Sequence, residues 1–362
     1  MNQNSTKKDI IVFTAGIGNC GIQRVLSELT NEWIENGHTV KLVYMYTDAS
    51  KKKRATDFVW RQEIELIGIK RTKLFSYIVM FFSYLQIMKK NPKAIAVSLS
   101  VRSNYVVGAC SLFTNNKIIV SDRNDPQRRP KEKMKQLIRD YAFRRADVII
   151  LQTEDVQQYY EQRIHRKGVI IPNPINRDIS HISIPNSRRP VIVTASRLNA
   201  QKNLGMLIDA FDKFCKQHSE YTLEIYGRGE EAEKLQSKVK TLGLSEKVIF
   251  KGFSNDLYHE IVDASIYVCS SDYEGISNSL LEALGLGIPT ISTDCPVGGS
   301  RLLIDNNVNG ILIPVGDVEE LYNQMERIAT HPELADFLSK NALDVREKYR
   351  VDQIAQLWID NM

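Results

Sequence analysis

The chain has 362 residues, 43% hydrophobic and 25% charged, an ordinary globular make-up long enough for two domains rather than one core. Five scattered cysteines (Cys20, Cys110, Cys215, Cys269 and Cys295), odd in number and never in a CxxC pair, argue against a disulfide framework or a zinc site and for a reducing compartment. The net charge of +5 is unevenly spread: residues 1–175 carry 29 Lys and Arg against 16 Asp and Glu, a surplus of 13, while the rest carries 19 against 27.

Such a split suits a first half that faces an anionic partner (nucleic acid, anionic lipid or a lipid-linked diphosphate), or simply a solvated basic surface. Nucleic acid is disfavoured, because no basic stretch interleaved with aromatics and no zinc finger is present. The first residues, MNQNSTKKDIIVFTAG, are polar and then strand-like, without the apolar core of a signal peptide, so the expected location is the cytoplasm.

In chain order, residues 9–15 (DIIVFTA) form a short apolar strand, followed by a Gly-rich turn and an amphipathic helix over 22–36. A second strand covers 40–46, and later strands cover 94–99, 117–120 and 148–151 with helices between them. Residues 172–189, from Pro172-Asn173-Pro174 through a polar run, read as a linker. The pattern then restarts: strand 190–196, helix 204–217, strand 222–226, helix 230–242, and strands 248–251, 266–269, 290–292 and 310–313. Helices are expected over 318–330 and 333–361. Alternation of this kind predicts an α/β chain of two doubly wound Rossmann-like domains, with ligands beyond the carboxyl ends of the strands in an interdomain cleft. The first domain is expected over 1–175 and the second over 190–345, with a terminal helix over 346–362 packing back on the first.

Residues 74–88 (LFSYIVMFFSYLQIM) are apolar nearly all round and flanked by Lys70, Arg71, Lys73, Lys89 and Lys90. Fifteen residues fall short of the roughly 20 that span a bilayer. Two readings stand: a buried helix, or partial insertion into a membrane interface aided by the basic flanks.

Two constellations carry chemistry. Gly16-Ile17-Gly18-Asn19-Cys20-Gly21 matches GxGxxG between a strand and a helix, which lets backbone approach an anion at the helix start. Asp48 follows Gly21 by 27 residues, later than the roughly 20 of a dinucleotide fingerprint, so an NAD-dependent oxidoreductase is an alternative resting on a weak match. In the second half, Arg197 and Lys202 follow the strand TAS, where a diphosphate would need neutralising, although either can be a surface charge. Ser271-Asp272-Tyr273-Glu274-Gly275-Ile276-Ser277-Asn278 then leads into a helix over 277–284, whose first amides and dipole favour an anion. Ser277 or Asn278 can equally be a plain helix cap. Glu274 in the loop and Glu282 about two turns into the helix would let one carboxylate reach a sugar hydroxyl and the other a ribose.

These motifs, over nearly the whole chain, resemble the retaining glycosyltransferases of the GT-B fold, family 4, of bacterial capsule, exopolysaccharide and O-antigen assembly. The residues concerned are Cys20-Gly21-Ile22-Gln23-Arg24-Val25, Ile171-Pro172-Asn173-Pro174, Arg197-Leu198 with Lys202-Asn203, Glu274 with Glu282, and Gly310 with Asp317. The resemblance implies that Arg197 and Lys202 bind the donor diphosphate, Glu274 the transferred sugar and Glu282 the ribose. It further implies that the amides of Gly275, Ile276, Ser277 and Asn278 meet the distal phosphate, that Gly21 approaches it from the first domain, and that Gly252 and Phe253 flank the base. Gln23, Asp122 and Arg123 fall on the acceptor side. The implied reaction moves a hexose or N-acetylhexosamine, from a UDP-linked donor in place of any bound cofactor, to a lipid-linked saccharide. It retains configuration, with the leaving phosphate taking the acceptor proton, and the absence of any Asp-x-Asp triplet suits metal independence. The implied setting is the inner face of a membrane with an anionic surface. A nucleotide-sugar epimerase of the same architecture is a further alternative.

Three residues depart from the family pattern. Cys20 replaces the first glycine of a GG pair, Arg123 stands where many members have a His near the acceptor, and Leu302 follows Gly298-Gly299-Ser300-Arg301 where an acidic residue is common.

Overall fold

The computed structural model describes residues 6–17, 21–46, 60–70, 76–128 and 130–362. The chain forms two compact units, Met1–Pro174 with Val351–Met362, and Ile175–Arg350. Gly18, Asn19, Cys20, Asp48, Arg71, Lys73 and Leu74, singled out above, lie outside the described residues.

The first unit runs β1 (Asp9–Thr14), α1 (Gly21–Glu35), β2 (Thr39–Tyr46), β3 (Glu65–Lys70), α2 (Ser76–Lys90), β4 (Ile95–Ser98), α3 (Val101–Cys110), β5 (Ile118–Ser121), α4 (Lys133–Arg145), β6 (Val148–Leu151), α5 (Glu154–Ile164) and β7 (Val169–Ile170). Among the described residues its seven strands are parallel, in the order β3-β2-β1-β4-β5-β6-β7. Continuous apolar runs such as Ile10–Phe13 are buried because helices cover both faces of a parallel sheet. Helix α1 turns Val25, Leu26, Leu29 and Trp33 into the core at helical spacing.

The second unit runs β8 (Arg189–Ala195), α6 (Leu204–Phe214), β9 (Thr222–Tyr226), α7 (Ala232–Thr241), β10 (Val248–Gly252), α8 (Leu257–Ile261), β11 (Ala264–Cys269), α9 (Asn278–Gly285), β12 (Thr290–Thr293), α10 (Gly299–Leu303), β13 (Ile311–Ile313), α11 (Val318–Thr330), α12 (Pro332–Ala342) and α13 (Val345–Lys348). Its six strands are also parallel, ordered β10-β9-β8-β11-β12-β13. The chain ends with α14 (Val351–Asp360), which packs on α1 in the first unit. Its Trp358 stacks obliquely on Trp33, ring centroids 6.1 Å apart, and Ile354 and Ile359 fill the same core.

Two elements differ from the sequence reading, and one of the two readings of residues 74–88 drops out. Residues 333–361 form three helices instead of one: Leu343 and Asp344 make a turn that keeps right-handed helical dihedrals between α12 and α13, and the backbone leaves helical geometry at Tyr349, φ −117°. The expected linker is docked: Ile175, Ile179 and Ile182 are buried in the core of the second unit, and a short 3-10 turn (Arg177–His181) carries Ile179 inward. A Cβ on Gly285 would come within 2.4 Å of Ile175 Cδ1, so that glycine seats the segment against α9. Helix α2 is not buried: only Met80, Tyr84 and Met88 face inward, while Tyr77, Ile78 and Phe82 are exposed. Among the described residues no helix is long and apolar enough to cross a membrane.

Candidate functional site

The order of the second sheet reverses between β8 and β11, and a crevice at such a switch point is where doubly wound sheets take ligands. The segments that leave these two strands carry Arg197, Lys202 and Glu274, and the backbone ties them together. After β8 the chain makes a 3-10 turn (Ala200–Lys202) that ends on Asn203 in the left-handed region, φ 43°. Gln201 Nε2 donates to the Tyr273 carbonyl at 2.9 Å, and the Asp272 amide donates back to the Gln201 carbonyl at 2.9 Å. Asn203 Nδ2 donates to Asp272 Oδ1 at 2.7 Å, and Ser270 Oγ to the Lys202 carbonyl at 2.9 Å.

These four bonds fix Lys202 beside Glu274, and its ammonium donates to Glu274 Oε2 in a largely buried ion pair. Ser271 Oγ makes a longer contact, 3.4 Å, to the same oxygen. Burial alone would lower the Lys202 pKa, but Glu274 and Cys269 more than offset it, and the net shift is upward. The lysine is therefore charged at neutral pH. A buried cation and a buried carboxylate in contact can each exchange a protein partner for a ligand partner, the first for a phosphate and the second for hydroxyls.

Glycines let neighbouring backbone close around this point. The Ser196 amide donates to the Tyr226 carbonyl and the Gly227 amide to the Gly252 carbonyl, joining the ends of β8, β9 and β10. Gly227 has φ +123°, and a Cβ there would lie 1.8 Å from the Ser196 carbonyl oxygen. Arg197, on this rim, is exposed, as is Phe253 just after Gly252. Gly275 and Ile276 are buried in the turn before α9, which begins at Asn278 with Ser277 as its cap; Ser277 Oγ accepts from the Leu280 amide at 3.4 Å. A Cβ on Gly299 would come within 1.8 Å of the Gly275 carbonyl oxygen, so α10 presses directly on that turn. Glu282 is buried in α9 about one turn from its start, closer to the helix N-terminus than the sequence reading placed it. Sequence reasoning named Gly298-Gly299 only for the acidic residue missing after it; the backbone contact with Gly275 needed the pairing of β11 with β12 to be seen.

The residues named for the first unit are engaged internally. Gly21 opens α1. Gln23 is buried, and its amide donates to Thr14 Oγ1 at 3.1 Å and to the Gly16 carbonyl, which holds the turn after β1 in shape. Asp122 is buried, accepting from the Tyr160 hydroxyl and from the Asn124 amide at 3.3 Å; burial raises its pKa despite these donors. Arg123 donates through Nε to Ser121 Oγ at 3.1 Å and through a terminal nitrogen to Asn173 Oδ1. Its guanidinium lies 5.4 Å from the centroid of the Trp358 ring, and burial pulls its pKa down to about 9. Gln23 and Asp122 thus hold first-unit backbone in shape after β1 and β5, and Arg123 bridges β5, the Pro172–Pro174 segment and α14.

Residues 20–179 match the family described as Glycosyltransferase Family 4, and residues 176–345 match Glycosyl transferases group 1, so the two together span almost the whole chain. The chain is 23% identical over 341 residues to the poly(glycerol-phosphate) alpha-glucosyltransferase of Bacillus subtilis, which covers 90% of this chain and 49% of that protein. It is 28% identical over 235 residues to the GtfA subunit of the UDP-N-acetylglucosamine–peptide N-acetylglucosaminyltransferase of Streptococcus gordonii, covering 60% of this chain and 46% of that one. The chain thus spans about half the length of these curated relatives. Its fold superposes on Anabaena Alr3699/HepE, solved in complex with UDP, with a TM-score of 0.80 at 17% identity over 98% of both chains.

Proposed function

Because the chain belongs to the GT-B glycosyltransferases of family 4, we propose that it moves a hexose or N-acetylhexosamine from a UDP-sugar to a lipid-linked saccharide, with retention and without a metal. The observation that carries this reading is the Lys202–Glu274 pair, held at the switch point of the second sheet beside the start of α9. The UDP bound by the HepE protein and the UDP-sugar named for the GtfA relative support the choice of base.

In this reading the donor diphosphate takes the Lys202 ammonium and the exposed Arg197 guanidinium, and Glu274, released from Lys202, receives hydroxyls of the sugar. The amides at Gly275–Asn278 and the dipole of α9 meet the distal phosphate, Glu282 holds the ribose, and the Gly252-Phe253 turn flanks uracil. As the bond from the anomeric carbon to the phosphate oxygen breaks, its electron pair goes to the diphosphate. The fixed cations and amides stabilise that charge without reorganising. The acceptor oxygen bonds to the anomeric carbon on the same face, and its proton passes to the departing phosphate. We assign Gly21 to the donor's distal phosphate and Gln23, Asp122 and Arg123 to the acceptor. We place the reaction in cell-surface polysaccharide synthesis at the inner face of a membrane.

A thermal-shift panel of UDP, GDP, dTDP and CMP sugars beside NAD tests this reading. A UDP-sugar is expected to raise the melting temperature in proportion to the logarithm of its excess over Kd. Stabilisation by NAD, or by no nucleotide sugar, would overturn it.

A further inference from the structure

Helix α4 carries its apolar residues on the wrong face for a core helix. Met134, Leu137, Ile138 and Tyr141, spaced i, i+3, i+4 and i+7, form one stripe, and all four are exposed, Met134 at 68% and Leu137 at 60%. The opposite face of the helix supplies Ala142 and Phe143 to the interior, where Ala142 lies so close to α3 that a Cβ on Gly108 would come within 2.5 Å of its own. The outward stripe is therefore a second apolar face, beyond what the fold uses.

It does not stand alone. Helix α3 packs against both α2 and α4, and α2 turns Tyr77, Ile78 and Phe82 outward, Phe82 at 63% exposure. The segment after α3 joins the two: Phe113 meets Phe81 edge-on at 5.9 Å, exposed Leu112 adjoins it, and Ser111 Oγ accepts from Arg145 of α4 at 3.1 Å. Exposed cations surround the apolar residues: Lys89 and Lys90 end α2, Arg128 and Lys131 precede α4, Lys133 and Lys135 lie in its first turn, and Arg144 and Arg145 in its last. Glu132 is the one exposed carboxylate in the stretch from Arg128 to Arg145 that is described, and it is paired with Lys135 at 2.8 Å.

We propose that the outer faces of α2 and α4, joined through Leu112 and Phe113, form one surface that docks on an anionic lipid bilayer. Apolar side chains ringed by lysine and arginine match the boundary between acyl chains and anionic headgroups, where the rings and alkyl groups enter hydrocarbon and the cations stay at phosphate level. Protein interfaces are depleted in lysine relative to the rest of the surface, whereas this patch is edged with lysine and arginine. Docking rests on the exposed residues alone. It names the partner surface for the acceptor class proposed above, but does not require that activity.

The test is co-sedimentation of the full chain with phosphatidylcholine vesicles containing or lacking about 30% phosphatidylglycerol, at low and at moderate salt. The wild type should bind the anionic vesicles and release them as salt rises. Leu137→Glu with Ile138→Glu should weaken binding by at least about tenfold, as should Lys131→Glu with Lys133→Glu, each with an unchanged melting temperature because the side chains are exposed. Equal binding by the wild type and both variants would overturn the proposal. So would wild-type failure to bind anionic vesicles, including the case where ultracentrifugation shows a self-associated wild type made monomeric by Leu137→Glu. UDP-sugar thermal shifts on the same samples separate the readings: vesicle binding without a nucleotide response sinks the transfer activity and leaves the docking surface standing.

Discussion

Lys202 and Glu274 carry opposite charges in contact, so a single substitution changes two things at once. Lys202→Ala removes a phosphate ligand, at about 2–4 kcal/mol of activation barrier by comparison with other lost donors to a developing anion. It also leaves the Glu274 carboxylate, 17% exposed, without its counter-ion, which destabilises the fold. The two effects separate in the double variant: Lys202→Ala with Glu274→Gln should recover the melting temperature of the wild type but none of the transfer, measured as release of UDP with acceptor present. Recovery of transfer would show that the pair is structural. Gly299→Ala probes the same turn from the other side. Its Cβ would displace the Gly275 carbonyl, so nucleotide-sugar affinity should fall more than stability, read by titration beside a melting curve. Asp122 is a pH probe. Burial raises its folded-state pKa above the 3.8 of an unperturbed aspartate, so the native state holds a proton that the unfolded state has released. Stability from this residue therefore falls as pH rises from 3.8 through the folded pKa. Asp122→Asn abolishes that slope, and its denaturation free energy relative to the wild type should improve between pH 4.5 and pH 7.

At the level of elements, what could be read from sequence was what local pattern determines. Strands β9 and β6 and helix α11 fall within a residue of where apolar runs and caps put them, and Asp317, accepting from the Glu320 amide at 2.9 Å, marks the start of α11 outright. Strand β3 was missed because Glu65–Lys70 is an edge strand, mostly half-exposed, with no alternation to betray it. The two residues of β7 are too few for any pattern. Motif spacing singled out Lys202, Glu274, Gly275 and Ser277, but their assembly needed β8 to pair with β11, a contact between strands some 70 residues apart. Helix α2 was left with two readings for a different reason: an all-apolar segment reads the same whether its outer face meets protein or is left exposed. The docked segment after Pro174 yields an element-scale prediction. Ile179, fully buried in its 3-10 turn beneath α9, should cost about 2–5 kcal/mol when cut to alanine, seen as a lowered denaturant midpoint. A change of under about 0.5 kcal/mol would mean that the segment is a loose linker after all.

Across the whole molecule, sequence order and physical membership part company at Val351. Helix α14 follows the second unit in the chain, yet every apolar residue it buries (Val351 aside) joins the core of the first, among Val25, Leu29, Trp33, Ile150 and Ile171. Lys8 Nζ donates to the carbonyls of Ile359 and Met362 at 3.0 and 2.6 Å, and the Trp33 indole donates to the Ala355 carbonyl at 3.3 Å, so the last helix is bonded to the residue before β1 and to α1, on which it also packs. Trp358 also offers its ring face to Arg123, adding to the hydrogen bonds with Ser121 and Asn173 that offset the hydration its guanidinium has lost. Trp358→Ala therefore removes a full indole from a core and a cation–π partner from a buried charge, a loss of about 3–5 kcal/mol. Because its contacts lie in the first unit, the damage should be local. Amide hydrogen exchange should accelerate in β1, α1 and β4 of the variant while the amides of β8, β9 and β11 keep wild-type protection. Uniform acceleration in both sheets would show that α14 stabilises the chain by some route other than the first unit's core.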